Sequence, residues 1–327
     1  MTTNQYTIIT GANGYLGSYL CREMIHRGFK VIGFTWDHYA SVRIDHPDIE
    51  YVRCDIRKEI LPQVEDMVEG KEIRVIINAA ALLGSSDYEK NFAVNARGVE
   101  HLIAFAHESG INRFIQISSV VVIKVFKGPY GETKLIGQQL VEQSGLDFTV
   151  FIPAMILGPE GLGINRILKN VFRFPLFVPL IGKGSQTQHP IFVKDFAHYI
   201  VRSIPEKKAY GKVYQIAGDR VISFRDLIRL ILKLRGKKRI FISVHPYFAR
   251  MMGRFFQKTQ KVPLFTAEHV KGVMQDSNLD TSLIISDLDF KPTPLESSLK
   301  YCLDQIGDNW DFYLNAREET VVKLLAE

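Results

Sequence analysis

The first half of the chain alternates short runs of β-branched and aromatic residues with longer stretches whose apolar residues recur at helical spacing. Strands are predicted at 6–10, 30–36, 49–55, 74–81, 113–119 and 147–154, with helices in most of the intervals. Strands and helices that alternate at this spacing form parallel pairs with right-handed crossovers. The pattern therefore predicts an α/β fold built on a doubly wound parallel sheet.

Beyond Pro153 the alternation loosens, and residues 158–190 are rich in glycine and proline. HPIFVKDFAHYIVRSI (189–204) is typical of a turn that leads into a helix, and KVYQIAG (212–218) is typical of a buried strand. Short helical segments dominate after Ser223. We predict a main domain, a smaller and mostly helical substrate lobe, and a tail, with these bounds: main domain 1–155 with a re-entry near 189–218, lobe 156–188 and 219–310, tail 311–327.

The composition is that of a soluble globular protein, with 46% hydrophobic and 23% charged residues. No uncharged apolar run is long enough to span a bilayer, and the N-terminal residues do not resemble a secretion signal. Cys21, Cys54 and Cys302 are widely spaced and match neither a disulfide framework nor a metal-ligand motif. We expect a cytoplasmic protein without a metal site.

The net charge of +6 is unevenly distributed. Between Leu227 and Ala267 there is no Asp or Glu, whereas Lys and Arg occur ten times, from Arg229 to Lys261. No recognised nucleic-acid-binding module accompanies this charge, so a nucleic-acid partner is not expected.

Part of the basic segment, HPYFARMMGRFFQK (245–258), is predicted to be an amphipathic helix. Its apolar side carries Phe248, Met251, Met252, Phe255 and Phe256, and its basic side carries Arg250, Arg254 and Lys258. The preferred interpretation is a helix whose apolar side packs on the core of the lobe. The alternatives are a lid over the site, or contact with a membrane surface or an anionic partner.

A glycine-rich turn follows the first predicted strand. TGANGYLG (10–17) places Gly11, Gly14 and Gly17 between that strand and the next helix. A phosphate can rest on a helix N-terminus where main-chain N–H groups face it and no Cβ intrudes. Glycines in such a turn also allow close packing of helix on sheet. The position of the turn at the first strand of a long α/β series favours dinucleotide binding.

GPYGETKLIG (128–137) places Tyr130 and Lys134 four positions apart, which in a helix puts them on one face. They are either ordinary helix residues or a proton-transfer pair. A lone Y-x-x-x-K motif is common and does not decide between the two.

Several motifs together resemble the short-chain dehydrogenase/reductase superfamily, and most of all its extended branch, the NAD-dependent epimerase/dehydratase group. They are, in order, the glycine turn, Asp55 after the third strand, NAAA (78–81), Asn95 in NARG, Ser118-Ser119 after the fifth strand, and Y-x-x-x-K. These motifs span residues 8–134. HPIFVKDFA (189–197) and DLDFKPTPLESSLKYCL (287–303) fit the later lobe of that branch.

The resemblance implies that residues 1–155 form an NAD(P)-binding Rossmann domain and that Tyr130 is the general acid/base. Lys134 would lower the pKa of the phenol and reach the cofactor ribose, and Ser119 would hydrogen-bond the substrate oxygen. Asn95 would hold the helix and a water beneath the lysine. The structural alternatives are that the serines cap the strand and that Asn95 is an ordinary polar helix residue.

The resemblance also implies a set of cofactor-binding residues. They are Gly11, Asn13, Gly14, Tyr15, Leu16, Gly17, Trp36, Asp37, Asp55, Ile56, Ala79, Ala80, Ala81, Ser118, Tyr130, Lys134 and Pro153. Asp55 would contact the adenine; its alternative role is the N-cap of the next helix.

The choice between NAD and NADP depends on the residues after the second strand. Trp36 stands about where NADP-preferring relatives often carry arginine, and Asp37 lies one residue late for the usual carboxylate. Arg43 could fold back, although a solvated arginine is the simpler interpretation. These residues favour NAD slightly.

The sequence identifies the substrate less clearly than it identifies the cofactor. Only ten residues separate Ser119 from Tyr130, and they are strongly apolar, as in the atypical members of the group. Ile152 stands where many relatives carry arginine, and His189 either contacts substrate or satisfies main-chain groups. We predict an NAD(P)-dependent oxidoreductase or epimerase that acts on a small molecule, with a sugar nucleotide as one option.

Two alternatives stay open at this point. One is a catalytically silent nucleotide-binding structural or assembly protein of the same fold, and the other is a reductase associated with a membrane surface. By analogy with relatives that pair through the helix of the tyrosine, a homodimer is expected.

Overall fold

The computed structural model describes residues 5–36, 44–259 and 267–308, and a seven-stranded sheet lies at its centre. The strands of this sheet are β1 (Gln5–Thr10), β2 (Lys30–Thr35), β3 (Ile49–Arg53), β4 (Glu72–Asn78), β5 (Arg113–Ile117), β6 (Asp147–Pro153) and β11 (Lys212–Ile216). Their spatial order is β11-β6-β5-β4-β1-β2-β3, and every neighbouring pair is parallel. The predicted Rossmann-type doubly wound sheet is confirmed.

The remaining strands form three two-stranded ribbons outside the central sheet. They are β7 (Ile156–Leu157), β8 (Phe177–Ile181), β9 (Thr187–Gln188), β10 (Ile191–Phe192), β12 (Ile222–Ser223) and β13 (Ile240–Val244). β7 pairs with β10 and β8 with β13, both parallel, whereas β9 and β12 are antiparallel.

Helices connect the strands and cover the sheet. They are α1 (Tyr15–His26), α2 (Leu61–Val68), α3 (Tyr88–Phe92), α4 (Gly98–Glu108), α5 (Gly128–Glu142), α6 (Leu162–Phe172), α7 (Val193–Arg202), α8 (Phe224–Leu234), α9 (Pro246–Thr259), α10 (Ala267–Val273), α11 (Ser282–Leu288) and α12 (Leu295–Ile306). A π-helical turn, Ala93–Arg97, joins α3 to α4. None of the helices in the described ranges is long and apolar enough to cross a membrane.

Both faces of the sheet are covered, which explains why its strands are nearly continuous apolar runs. Ile8 and Ile9 are adjacent in β1 and fully buried, yet they belong to different core clusters on opposite faces. The side chains of a strand alternate between its faces, so one strand contributes to both cores.

After the first ribbons the chain returns to the central sheet. His198 of α7 approaches Glu23 of α1, with 3.0 Å between Nδ1 and Oε1, and β11 pairs with β6 at the sheet edge. The domain bounds given above stay a prediction, and the tail 311–327 lies outside the described residues.

The expectation that the apolar side of the basic helix packs on the lobe is wrong. The helix itself forms, as α9, but Phe248, Met251 and Met252 are about half exposed. Among the side chains of α9 that the structure describes, the buried ones are instead those at Ala249 and Gly253. Small side chains let a helix approach its support closely along a narrow strip, and the periodicity of large apolar residues cannot reveal that choice. The side chains of Phe256 and Lys258 lie outside the described part.

Candidate active site

The glycine turn links β1 to α1 and is shaped by close main-chain approach. Gly11 has φ +63°, and a Cβ there would lie 3.2 Å from the Cα of Ala80. Gly14 is the N-cap of α1, and its N–H donates to the Gly11 carbonyl at 2.8 Å. A Cβ on Gly17 would lie 2.1 Å from that same carbonyl oxygen. The first turn of α1 carries no acidic residue, so the residues present fit a diphosphate at this helix N-terminus.

A chain of buried hydrogen bonds ties the tips of β1, β4 and β5 together. Thr10 Oγ1 donates to Asn78 Oδ1 at 2.6 Å and accepts the N–H of Ala80 at 3.1 Å. Asn78 Nδ2 donates to Gln116 Oε1 at 2.9 Å, and Gln116 Nε2 donates to the carbonyl of Ile117 at 3.3 Å. We did not predict this chain. Its signal in the sequence is a polar residue at or next to the C-terminal end of each of these three strands.

Lys134 lies at the end of that chain. Its side chain is 2% exposed, and Nζ donates to the carbonyl of Ile117 at 2.6 Å. Burial disfavours the ammonium form and lowers the pKa of Lys134 from 10.5 to about 8. At neutral pH the side chain is therefore still mostly charged, in a place that excludes water.

Ser119 and Tyr130 come to the same end of β5. Ser119 is the second residue after the strand, and Tyr130 lies one helical turn before Lys134 on α5; both are partly exposed. Ser119 Oγ also accepts the N–H of Val121 at 3.4 Å and so caps the short 3-10 helix Val120–Ile123. The structure thus brings the predicted serine, tyrosine and lysine to one edge of the sheet.

The other serine of the pair has a different environment. Ser118 is buried, and its hydroxyl donates to Gln138 Oε1 of α5 at 2.7 Å. Ser118 therefore fastens β5 to α5, and Ser119 is the serine at the accessible end.

Asn95 is fully enclosed in the π-helical turn and connects three elements. Its Oδ1 accepts the N–H of Leu82 at 3.1 Å, and its Nδ2 donates to Thr133 Oγ1 of α5 at 3.2 Å. A Cβ on Gly137 would lie 2.1 Å from the Asn95 carbonyl oxygen, so the π-helical turn lies directly against α5. The contact with α5 is present, and a water beneath the lysine stays a prediction.

Beyond the end of β3, Asp55 forms a bidentate ion pair with Arg57. The Oδ1–Nε and Oδ2–Nη2 distances are 3.0 and 3.1 Å. The guanidinium of Arg57 also lies over the ring of Trp36, 3.8 Å from its centroid. α2 begins later and has Ile60 at its N-cap, so the alternative that Asp55 caps this helix is wrong. Sequence reasoning missed Arg57, although it lies two residues after Asp55.

The remaining predicted cofactor-binding residues have mixed environments. Leu16, Tyr15 and Ile56 are buried, and Pro153 is the last residue of β6. The partly exposed ones are Asn13, Ala79, Ala80 and Ala81. Asp37 and Arg43 lie outside the described residues, so their predicted part in cofactor choice stays untested.

The residue after Ser119 packs on an apolar cluster. Ala154, Ala217 and Leu279 form a small buried cluster, against which Val120 packs. His189 connects the main chain next to two members of this cluster. Its Nδ1 accepts the N–H of Leu279 at 3.4 Å, and its Nε2 donates to the carbonyl of Gly218, the residue after Ala217, at 3.1 Å. The interpretation of His189 as a residue that satisfies main-chain groups is confirmed.

Gln275, which follows α10, holds the segment between Ser119 and Tyr130. Its Oε1 accepts the N–H of Phe126, and its Nε2 donates to the carbonyl of Phe126, both at 2.8 Å. This contact joins the residues after α10 to the segment between Ser119 and Tyr130. No short-range signal could have predicted this contact, because the two residues are 149 positions apart. No group of three or more potential metal ligands occurs in the ranges that the structure describes.

Comparison with known proteins places these observations in context. The model of the NAD dependent epimerase/dehydratase family matches residues 7–217. A 2-alkyl-3-oxoalkanoate reductase of Stenotrophomonas maltophilia is 25% identical over 260 residues, which are 71% of this chain and 76% of the relative. NADH dehydrogenase [ubiquinone] 1 alpha subcomplex subunit 9 of Dictyostelium discoideum is 25% identical over 308 residues, 91% of this chain and 84% of the relative.

Among solved structures, the fold is similar to that of the UDP-glucuronic acid 4-epimerase of Bacillus cereus in complex with NAD. The TM-score is 0.72 at 20% identity, and the match covers 92% of this chain and 99% of the epimerase. The resemblance inferred from the motifs is confirmed.

Proposed function

The chain belongs to the NAD-dependent epimerase/dehydratase family, and from this premise we propose that it is an NAD-dependent oxidoreductase acting at a hydroxyl or keto carbon. The observation that carries the proposal is the buried ammonium of Lys134, hydrogen-bonded to Ile117 one turn after Tyr130. Burying a charged lysine costs stability, and perturbed groups of this kind concentrate at functional sites. An ordinary helix lysine would extend into solvent.

In the proposed mechanism Tyr130 exchanges the proton at the substrate oxygen. A bound nicotinamide supplies the hydride donor or acceptor. In the direction of reduction, with the hydride supplied to the carbonyl carbon by the bound cofactor, Tyr130 would give its phenol proton to the carbonyl oxygen, so that an alcohol and a phenolate would result. Lys134 stabilises that phenolate, because its charge is screened little in a buried place. Ser119 donates to the same oxygen and orients it.

The glycine turn would hold the diphosphate, and Trp36 with Asp55 would bind the adenosine end. Support for NAD rather than NADP comes from the ion pair of Asp55 and Arg57, which neutralises the arginine otherwise suited to a 2′-phosphate. The structural neighbour from B. cereus is in complex with NAD.

We propose a substrate with an apolar portion next to the reacting carbon. Support comes from the surroundings of Ser119: its neighbour Val120 packs on the buried apolar residues Ala154, Ala217 and Leu279, and these four carry no charge that could bind a sugar nucleotide. The S. maltophilia relative is a 2-alkyl-3-oxoalkanoate reductase, whose substrate name describes an alkylated keto compound. Epimerisation of a sugar nucleotide is the alternative chemistry within this family.

The test is Tyr130→Phe, which removes one oxygen. With NADH and a 2-alkyl-3-oxoalkanoate as probe, we expect the rate of NADH oxidation to fall by a factor of roughly 10²–10⁴. The affinity for NAD should change little. Tyr247→Phe on α9, where the tyrosine is exposed, is the matched control and should keep full activity. Unchanged turnover in Tyr130→Phe would show that the phenol is not the proton donor.

One observation favours a second candidate, a nucleotide-bound structural subunit. The D. discoideum relative is named as a subunit of a larger enzyme, and it aligns over 91% of this chain, against 71% for the reductase. Under this candidate the wild type and Tyr130→Phe would bind NAD equally and neither would turn over any probe ketone. A cytoplasmic location and a homodimer stay predictions.

A further inference from the structure

Helix α9 presents large apolar side chains to solvent. They are Tyr247, Phe248, Met251, Met252 and Phe255, which are between 48% and 63% exposed. At about 100° per residue these five positions cover an arc of roughly 140° on one side of the helix. Ala249 and Gly253, which are buried, lie on the opposite side. Among the described side chains of α9, the small Ala249 and Gly253 are thus the buried ones, and the five large apolar ones face solvent.

The basic residues of α9 border this arc. Arg250 and Arg254 are exposed, and on the helical wheel they lie between the buried strip and Tyr247. An exposed apolar arc with arginines at its margin is the arrangement of helices that lie in a lipid headgroup region. A helix that only covers a core has the reverse arrangement, with the apolar arc inward.

The ribbon that leads into α9 adds further exposed apolar side chains. Ile240 and Ile242 of β13 are 70% and 46% exposed, and one residue separates β13 from α9. Leu176, whose carbonyl accepts the N–H of Ile240 at 3.0 Å, is 73% exposed. We call α9 and these three residues the basic apolar surface.

Uncompensated positive charge lies beside the start of β13. A cavity of about 620 Å³ between α8 and β13 is lined by five cations and three uncharged residues: Arg229, Lys233, Lys237, Lys238, Arg239, Leu232, Gly236 and Phe241. Arg229 pairs with Asp226 at 2.7 Å. Within the described ranges no carboxylate lies at ion-pair distance from Lys233, Lys237 or Lys238.

We propose that the basic apolar surface docks on the anionic face of a phospholipid bilayer. The apolar arc of α9 enters the headgroup boundary, and the lysines and arginines contact lipid phosphates. Charge complementarity favours an anionic bilayer as the partner of this surface. A second copy of the chain would bring cations against cations, and a nucleic acid would leave the apolar arc in water.

The experiment is flotation of the full chain with vesicles of two compositions. One is phosphatidylcholine alone, and the other contains roughly 30% phosphatidylserine, which carries net negative charge. We expect recovery with the phosphatidylserine vesicles at low salt, loss of recovery at high salt, and little recovery with phosphatidylcholine. Equal recovery with both compositions, or none with phosphatidylserine, overturns the proposal.

Two double variants separate the effect of the arginines on this surface from the effect of the net charge of the protein. Arg250→Glu with Arg254→Glu should reduce the partition onto phosphatidylserine vesicles by roughly tenfold or more, because it reverses two charges that face the lipid. Lys207→Glu with Lys208→Glu makes the same change in net charge at exposed positions of another surface and should leave the partition within about twofold. Equal loss in both pairs would mean that net charge alone is responsible and overturns the assignment of the surface.

Met251→Glu with Met252→Glu tests the apolar arc. It should abolish flotation while NAD binding and thermal unfolding stay as in the wild type, because both side chains are exposed. If light scattering shows instead a dimer that this variant dissociates, the surface joins two copies of the chain and the membrane proposal is wrong.

Discussion

Nζ of Lys134 donates a hydrogen bond to the main-chain oxygen of Ile117 at 2.6 Å, in a place where the lysine side chain is only 2% exposed. A helix residue thereby holds the end of β5, directly before the two serines. Ser119 owes its position relative to Tyr130 partly to this bond.

Replacement of that lysine by methionine should stabilise the protein and abolish hydride transfer. The fall of the Lys134 pKa from 10.5 to about 8 corresponds to a destabilisation of the folded protein by roughly 3 kcal/mol while the lysine is charged. Replacement by methionine removes this destabilisation but also removes the hydrogen bond to Ile117, which reduces the gain by about 1–2 kcal/mol. We therefore expect the free energy of unfolding of Lys134→Met to exceed that of the wild type by roughly 1–2 kcal/mol near neutral pH.

The pH dependence of this difference identifies its cause. Between about pH 8 and about pH 10.5 the unfolded wild type holds the proton that the folded protein has lost, so the wild type gains stability as pH rises. The advantage of Lys134→Met should therefore disappear across that window in urea unfolding. A variant that is less stable than the wild type near pH 7 would contradict the buried charge.

Asn95 and Thr133 should contribute to stability in an energetically coupled way. Asn95→Ala leaves the buried N–H of Leu82 without its acceptor, and a loss of about 1–3 kcal/mol in the free energy of unfolding is expected. In a double-mutant cycle with Thr133→Val the coupling should exceed about 0.5 kcal/mol. Asn112→Ala, at an exposed position, is the control and should change stability by less than about 0.5 kcal/mol. Additive effects would mean that the Asn95–Thr133 bond contributes nothing.

Gly17→Ala should distort the glycine turn. The new Cβ would lie 2.1 Å from the carbonyl oxygen of Gly11, and overpacking of this kind costs about 1–3 kcal/mol. We expect weaker NAD binding by calorimetry as well as a lower midpoint of unfolding. Gly272→Ala, in α10 with open space around its Cβ, should be neutral or stabilising by up to about 1 kcal/mol. Full NAD affinity in Gly17→Ala would refute the role of the turn.

Asp55→Asn should weaken the preference for NAD. Without the carboxylate charge, Arg57 is left as an uncompensated cation beside Trp36, and we expect the affinity for NADP to rise by roughly tenfold relative to that for NAD. Fluorescence titration with both nucleotides measures the ratio. Asp48→Asn, at the opposite end of β3, is the control. An unchanged ratio would show that Arg57 does not influence the choice between NAD and NADP.

The sequence predicted the sheet well because its signals are local. A strand covered on both faces is buried along nearly its whole length and largely apolar, as in β1, and a glycine turn follows β1 directly before α1 begins. Ser119 could be placed at the carboxyl edge of the sheet for the same reason, since parallel strands end together, whereas Tyr130 and Lys134 of α5 were placed beside it by the family resemblance.

Contacts between residues far apart in the sequence could not be predicted from local patterns. Gln275 holds Phe126 across 149 positions, and the hydrogen-bond chain from Thr10 to Gln116 exists only because β4 lies between β1 and β5. Arg57 was overlooked because an arginine near a carboxylate is common in any sequence. Its contact with Trp36 depends on the register of β2 and β3.

The amino-acid sequence by itself determined the parallel sheet, the glycine turn after β1 and the spacing of Tyr130 and Lys134 on one helix, because each depends on residues within one or two elements; the roles proposed for these residues came from the family resemblance. Only the tertiary structure decided which side of α9 faces the protein. Helical periodicity groups residues on a side, but whether the small residues or the large ones make the contact depends on the shape of the surface beneath them.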